Sequence, residues 1–178
     1  MPPLPRSLPV SPVLAQLLGL IVAAAVPAPV ALANEGVGPK TSGLPVPRFV
    51  TLRSNEVNVR TGPGSRYPIE WVFTRKDMPV EITQEFDTWR RIRDWEGSEG
   101  WVHQSMLSGR RGAVITGEVR TLREEPSQAS AVVARAKPGV IGALKKCLNG
   151  WCQVDIQGYR GWLAQSEFWG AYPNEKVD

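Results

Sequence analysis

The sequence predicts an all-β protein built from two tandem small β-barrels. Short runs alternate apolar and polar residues, as in Val57-Asn58-Val59-Arg60 ahead of the turn Gly62-Pro63-Gly64, which is the pattern of a half-buried strand. The pattern returns at 119–126, where Leu122 matches Val59, at an offset of 63 residues. Trp89 and Trp151 are 62 apart, and Gly100-Trp101-Val102 recurs 61 residues on at Gly161-Trp162-Leu163. This self-similarity indicates two copies of one unit.

Residues 1–33 have the features of a signal peptide. Arg6 is the only charge, an apolar run covers 13–26, and Ala31-Leu32-Ala33 gives a small-x-small cleavage signal. We therefore expect cleavage between Ala33 and Asn34, which predicts a periplasmic or secreted protein with no stable membrane anchor. An uncleaved anchor is the alternative, but the run is interrupted, falls short of the ~20 apolar residues of a span and has no basic stop signal.

The remaining chain divides into a leader, two copies and a tail. Its Gly- and Pro-rich start has no apolar periodicity and is expected to be a flexible leader. The predicted bounds are 34–48 for the leader, 49–108 for the first domain, 113–170 for the second and 171–178 for the C-terminal tail. The net charge of +4 falls to +3 without Arg6. That bias suits an anionic wall or membrane surface and is too small to predict nucleic-acid binding.

Each copy is expected to contain four or five short strands, the count of a small barrel. The predicted strands span 69–73, 78–83, 89–94 and 100–102 in the first copy, and 132–136, 140–145, 151–156 and 161–163 in the second. Single helical turns are expected at 104–107 and 165–168.

The two cysteines bracket a hairpin turn. Asn149-Gly150 is a strong two-residue turn signal, and it places Cys147 opposite Cys152 at a separation that a disulfide spans. An exported compartment permits this bond. In the first copy, the positions 62 residues earlier are Glu85 and Arg90, an opposite-charge pair suited to the same cross-strand contact. A free reactive thiol is the less favoured alternative.

No catalytic site, metal site or cofactor is predicted. His103 is the only histidine, so a zinc site would have to combine it with both cysteines and a fourth ligand from different copies. A Cys-His nucleophile would likewise pair residues of different copies. His103 is therefore expected to be a surface or turn residue.

The motifs resemble the bacterial SH3-like domain. The resemblance rests on Asn58-Val59-Arg60-x-Gly62-Pro63-Gly64, on a tryptophan before a strand and on Gly-Trp-Val near the end of the copy. The second copy departs from it where Glu124 and Glu125 replace the residues around the first glycine. The resemblance implies two SH3-like barrels that bind cell-wall peptidoglycan or peptides and leave catalysis to other domains.

The ligand-binding residues are predicted on an Arg/Trp face of the first copy. If Ile92 points inward, Arg91, Arg93 and Trp95 point outward, where an aromatic ring stacks on a sugar and guanidinium groups pair with carboxylates. Tyr67 and Trp71 are expected to extend this surface. Trp71 shares its parity with Ile69 and is equally compatible with the core, and the arginines are also compatible with a merely solvated face.

The remaining tryptophans, Trp89, Trp101, Trp151 and Trp162, are assigned to the cores. The aromatic segment 169–173 is expected either to cover the seam between the barrels or to offer a docking edge. The partner is therefore predicted to be peptidoglycan or, alternatively, an envelope protein that binds a scaffold of two packed barrels.

Overall fold

The computed structural model describes residues 41–177, and these form two seven-stranded antiparallel sheets. The predicted all-β fold is confirmed. The predicted signal peptide, its cleavage site at Ala33 and Asn34, and the start of the leader lie outside the described residues. Within the described part of the chain, no helix has the length and hydrophobicity that would let it cross a membrane.

The first sheet contains β1 to β7 in the order β3-β2-β6-β5-β4-β1-β7. Its strands are β1 (Arg48–Leu52), β2 (Val57–Arg60), β3 (Ile69–Phe73), β4 (Pro79–Phe86), β5 (Trp89–Arg93), β6 (Glu99–His103) and β7 (Leu107–Ser108). A 3₁₀ turn at Gln104–Met106 lies between the last two strands.

The second sheet repeats this order as β10-β9-β13-β12-β11-β8-β14. Its strands are β8 (Gly112–Ile115), β9 (Arg120–Arg123), β10 (Val132–Ala136), β11 (Ile141–Leu148), β12 (Trp151–Ile156), β13 (Tyr159–Ala164) and β14 (Phe168–Trp169). A 3₁₀ turn at Gln165–Glu167 precedes its last strand. Each strand of the first sheet therefore has a counterpart in the second, as the sequence repeat predicts. The predicted count of four or five strands per copy is too low, because each sheet also includes a first strand, β1 or β8, and a two-residue last strand, β7 or β14, that is too short to show a pattern.

Successive side chains along each strand point alternately into the barrel and outward, and the inward ones form the core. Val57 and Val59 are fully buried in the first core, and Leu122 is fully buried in the second. Each barrel has its own cluster of buried apolar residues, and Ile141 of the second barrel also packs against the first cluster. The bounds of β3, β10 and β12 match the predicted ones.

The assignment of Trp89, Trp101 and Trp151 to the cores is wrong. All three are only half-buried, and of the four tryptophans concerned Trp162 alone is buried. Strict alternation decides this: the inward residues are Arg90 and Ile92 on β5, and Gly100 and Val102 on β6. A Cβ atom at Gly100 would lie 2.3 Å from Cγ1 of Val59, so this inward position has room only for glycine.

The C-terminal segment packs across the outer face of the first sheet. The ring of Phe49 lies 4.7 Å, centroid to centroid, from both Trp169 and Tyr172. The Tyr172 hydroxyl donates a 2.8 Å hydrogen bond to Oε1 of Glu81. The aromatic segment after β14 therefore covers the seam between the barrels, one of its two predicted roles.

The short connection between the barrels is held by its two arginines. Arg111 donates to both carboxylate oxygens of Glu175 and to the carbonyl oxygen of Gly170. Arg110 forms an ion pair with Asp77 at 2.7 Å. Arg110 thus attaches the connection to the first barrel, and Arg111 attaches it to the C-terminal segment.

Part of the predicted flexible leader is attached to the first barrel. The backbone N–H and the hydroxyl of Ser42 each donate a 2.6 Å hydrogen bond to the carboxylate of Glu85. Arg48 binds the same carboxylate and also the carbonyl oxygen of Pro45. Composition alone does not predict these contacts, because they depend on a carboxylate 43 residues away.

Candidate binding surface

The hairpin that carries the two cysteines has the predicted geometry. Asn149 and Gly150 have positive φ angles of 51° and 78° at its tip. Cys147 pairs with Cys152 across β11 and β12, their Cα atoms are 4.1 Å apart and their sulfurs are bonded. The predicted disulfide pairing is confirmed. In addition, the backbone N–H of Cys147 donates to the carbonyl oxygen of Val177, which attaches the C-terminal tail to this hairpin.

The equivalent hairpin of the first barrel carries an ion cluster in place of the disulfide. Glu85 pairs with Arg90 across β4 and β5, with Nε of the arginine 3.2 Å from Oε1 of the carboxylate. The Glu85 side chain is only 3% exposed and is also bound by Ser42 and Arg48. Burial alone would raise the pKa of Glu85, but the hydrogen bonds from Ser42 and Arg48 outweigh it and lower the pKa to about 2.

The outer face of the first sheet carries a row of polar and aromatic side chains across four strands. The strand register aligns Gln84, Arg91, Trp101 and Arg60 as successive neighbours on β4, β5, β6 and β2. Arg91 forms an ion pair with Glu99 at 2.8 Å, and both side chains remain partly exposed. We call the outward set Arg60, Trp89, Arg91, Glu99, Trp101 and His103 the Trp101 face.

An apolar groove of about 540 Å³ lies on one side of Trp101. Its apolar wall residues come from the leader, the glycine-proline turn and the β4–β5 hairpin: Leu44, Val46, Pro63 and Phe86. The leader thus contributes one wall of the groove, a role that no sequence pattern predicted.

Two polar depressions also lie along the Trp101 face, one beside Trp101 and one farther from it. The nearer one, about 440 Å³, is lined by the guanidinium groups of Arg60 and Arg91 and by the carboxylates of Glu70 and Glu99. The farther one, about 560 Å³, contains Trp89 and His103, whose rings meet edge to face at 5.5 Å. The three depressions share Trp101 or Arg60, so they form one continuous surface.

His103 has a local structural role. Its Nδ1 atom lies 2.7 Å from the Ser105 hydroxyl and accepts from the Ser105 backbone N–H, so the ring caps the 3₁₀ turn. This is the predicted turn histidine. Among residues 41–177, no three His, Cys, Asp or Glu side chains are grouped as a metal site requires.

Arg60 and Arg123 fasten equivalent loops. Nη1 of Arg60 donates a 2.7 Å hydrogen bond to the carbonyl oxygen of Tyr67, seven residues on. Nη1 of Arg123 donates a 2.8 Å bond to the carbonyl oxygen of Ser130, also seven residues on. The arginine in the repeated motif therefore closes the loop after the first motif strand in both barrels.

The same row in the second barrel is closed. Lys146, Gln153, Trp162 and Arg123 are aligned there, in the register seen in the first barrel. The ammonium group of Lys146 lies 5.2 Å from the centre of the Trp162 ring, which is only 8% exposed. The first barrel has Gln84 at the position of Lys146, and its Trp101 is more open.

The structure places the five predicted ligand residues in different surroundings. Arg91 lies on the Trp101 face, whereas Arg93 binds the carboxylate of Glu81, which also accepts from Tyr172 at the contact between barrels. Trp95 lies half-buried in the β5–β6 turn. That turn is held by the Asp94 carboxylate, which accepts from two backbone N–H groups.

Tyr67 and Trp71 have packing roles. The Tyr67 ring covers Gly62, where a Cβ atom would approach it to 2.5 Å. Trp71 packs against the core with its ring 6.1 Å from that of Phe73, edge to face. The residue that sequence reasoning missed is Trp101; strict alternation on β6, with Gly100 and Val102 inward, would have placed it outside.

Comparison with known proteins identifies the family. The model of the family described as "Bacterial SH3 domain" matches residues 53–109 and 117–170. The curated "Putative N-acetylmuramoyl-L-alanine amidase YrvJ" of Bacillus subtilis (strain 168) is 23% identical over 133 residues; the match covers 65% of this chain but only a quarter (25%) of that protein.

Among solved structures, NlpC2 and NlpC1 from Trichomonas vaginalis match 74% and 78% of this chain. The identities are 14% and 15%, the TM-score is 0.32 for both, and the match covers 50% of each of those chains. Each of the two matched regions covers all strands of one sheet except its first, and together they cover more than half of the chain. The chain therefore belongs to the bacterial SH3 domain family and contains two such domains in tandem.

Proposed function

We propose that this protein is a non-catalytic binding module of the cell envelope that recognises peptidoglycan through the Trp101 face. Domains of this family are typically binding domains. The similar Bacillus protein is named as an amidase for the N-acetylmuramoyl-L-alanine linkage, a bond between wall sugar and wall peptide. This chain matches only a quarter of that protein, so the similarity supports wall association and not shared catalysis.

The observation that carries the proposal is the position of Trp101 between an apolar groove and two guanidinium groups. Peptidoglycan offers sugar rings with N-acetyl methyl groups and stem peptides with free carboxylates. An indole stacks on the apolar face of such a ring, and arginine binds a carboxylate with paired hydrogen bonds. Arg91 is available for this because its bond to Glu99 is a partly exposed ion pair, a type that is weak in water.

The proposal also places the protein outside the cytoplasm. The Cys147–Cys152 disulfide supports this, because such bonds persist in oxidising compartments. The predicted signal peptide at 1–33 gives the same location.

Co-sedimentation of residues 34–178 with purified peptidoglycan sacculi tests the proposal. We expect the protein to pellet at low salt and less at moderate salt, since ion pairs with stem carboxylates are screened. Trp101→Leu should weaken binding roughly tenfold, as expected for loss of one aromatic contact of about 1.4 kcal/mol. Arg91→Gln should weaken it by a smaller factor and reduce the salt dependence.

The repeat supplies matched controls. Trp151→Leu changes a tryptophan of the second barrel that is also half-buried. Arg160→Gln removes a positive charge at a side chain that is 61% exposed. Neither should change pelleting. If the protein stays in the supernatant at both salts, or if the controls weaken binding as much as Trp101→Leu, the proposal is wrong.

A protein scaffold is the second candidate, favoured by the contact of Phe49 with Trp169 and Tyr172. Two barrels held together in this way present one extended surface to a protein partner. Such a scaffold would bind a defined envelope protein and ignore sacculi, so the same sedimentation assay distinguishes the two functions.

A further inference from the structure

The two barrels differ at two equivalent positions on β3 and β10. In the first barrel, β3 pairs with β2 so that Trp71 lies opposite Val59. In the second, β10 pairs with β9 in the same register, and Ala134 lies opposite Leu122. Two residues further along each strand, Phe73 of the first barrel is replaced by Ala136.

These replacements remove two aromatic rings from the second barrel. Trp71 and Phe73 pack against the first core and meet edge to face. Two alanine side chains cannot fill the volume of an indole and a phenyl ring. The second barrel therefore has an open groove of about 550 Å³ at the end where the first barrel is filled.

The groove has an apolar floor that belongs to the core. Leu122, Ala136 and Ile156 are buried residues that line it. Its walls are Val133 and Tyr159, which are 37% and 59% exposed. A volume of this size is within the range of small-molecule sites, and exposed apolar walls over a buried floor favour the binding of an apolar group.

The rim of the groove is cationic. Arg135 and Lys137 follow each other on the same face of the chain at the end of β10, and both are exposed. Neither forms an ion pair with any residue between 41 and 177. The lining residues include no Asp or Glu. An anionic group at the rim would therefore meet two positive charges and no negative one.

We propose that the second barrel binds a single-chain amphiphilic carboxylate, with its apolar chain against Ala134, Ala136 and Ile156 and its carboxylate at Arg135 and Lys137. This site is separate from the Trp101 face and does not depend on peptidoglycan binding. The two positive charges of the rim favour binding of the negatively charged carboxylate, and the apolar floor favours binding of the hydrocarbon chain.

Titration of the ¹⁵N-labelled protein with octanoate tests the proposal by amide chemical shifts. We expect a dissociation constant on the order of 1 mM for a ligand of this size, with shifts concentrated at 133–137 and 156–159. Octanol and octyltrimethylammonium, which keep the chain without the negative charge, should bind at least about threefold more weakly. Binding to anionic phospholipid vesicles without binding to octanoate would overturn the proposal, as would equal affinity for all three chains.

The repeat provides a variant that refills the groove. Ala134→Trp together with Ala136→Phe copies the first barrel and should weaken octanoate binding at least about tenfold, because the rings occupy the site of the chain. Val132→Trp adds the same ring on the same strand outside the groove, where the residue is 55% exposed, and should leave the affinity unchanged. Undiminished binding by the filled variant would overturn the assignment of the site.

A substitution of the exposed Lys137 tests the role of the cationic rim without changing a core residue. Lys137→Gln should weaken octanoate binding about threefold and leave octanol binding unchanged, since only the carboxylate interacts with the charge. Lys145→Gln removes an exposed lysine of β11 that does not line the groove and should change neither. An effect of Lys137→Gln equal to that of Lys145→Gln would overturn the role of the rim.

Discussion

Tyr172, in the C-terminal segment, donates a 2.8 Å hydrogen bond to Glu81, 91 residues earlier in the first barrel. The same carboxylate binds Arg93, and the Tyr172 ring packs on Phe49. A polar and an apolar contact between the barrels thus meet at one side chain.

Tyr172→Phe tests this contact. We expect a loss of about 1 kcal/mol in the free energy of unfolding, measured in urea, because a buried carboxylate loses one donor. Tyr159→Phe, at a tyrosine that is 59% exposed, is the control and should change stability little. Equal effects of the two variants would contradict the role of the bond.

The same pair predicts a dependence on alkaline pH. Burial raises the pKa of Tyr172, and the hydrogen bond to Glu81 and its negative charge raise it further. Because the folded state then binds more protons than the unfolded state, stability should fall as pH rises above about 10, the pKa of an unperturbed tyrosine. Unfolding curves of Tyr172→Phe should lack this component; an identical alkaline loss in both proteins would contradict it.

Glu85→Gln tests the ion cluster of the first hairpin. Removing the charge leaves Arg90 without its buried partner and should cost about 3 kcal/mol at neutral pH. The pKa of about 2 lies below the ordinary value of 4.5, so the charged carboxylate stabilises the fold above that value and loses its effect as pH falls towards 2.

The difference in unfolding free energy between wild type and Glu85→Gln should therefore shrink between pH 5 and 2, a range bounded by the ordinary and the lowered pKa. Glu99→Gln makes the same chemical change in a partly exposed pair and should cost at most about 0.5 kcal/mol. A constant difference across this pH range would refute the assigned role of Glu85.

Replacing both cysteines by alanine tests the second hairpin. Closing so short a loop stabilises by about 2 kcal/mol, so the unfolding free energy in urea should fall by about that amount. Binding to sacculi should persist, because the disulfide and the Trp101 face lie on different barrels. Loss of wall binding in a variant that remains folded would contradict that separation.

Arg60→Gln and Arg123→Gln test the two loop contacts. Each removes one hydrogen bond worth about 1 kcal/mol, so amide hydrogen exchange should become about fivefold faster in the loop that the arginine holds. The affected loops are 61–68 for Arg60 and 124–131 for Arg123. Faster exchange spread evenly over both barrels would show that the arginines act on global stability instead.

The repeat, most of the strands and both hairpin pairs can be predicted from the sequence alone. Period-two alternation and turn residues are local signals, so they placed Ile69–Phe73 and Trp151–Ile156 correctly. The tip Asn149-Gly150 fixed the register of Cys147 with Cys152, and the repeat offset carried that register to Glu85 and Arg90. The family follows from the same local motifs.

Which side chains are available to a ligand depends on contacts in the folded protein. Arg93 had the right parity but is bound to Glu81, and Ser42 is held by Glu85, both through contacts distant in sequence. Trp101 was assigned inward because tryptophan is apolar, although alternation with Gly100 places it outward. The groove beside Ala134 depends on how β10 pairs with β9, because this pairing places an alanine where the first barrel has an aromatic ring. Contacts across a sheet and between barrels depend on how strands meet in space, which a local pattern does not encode.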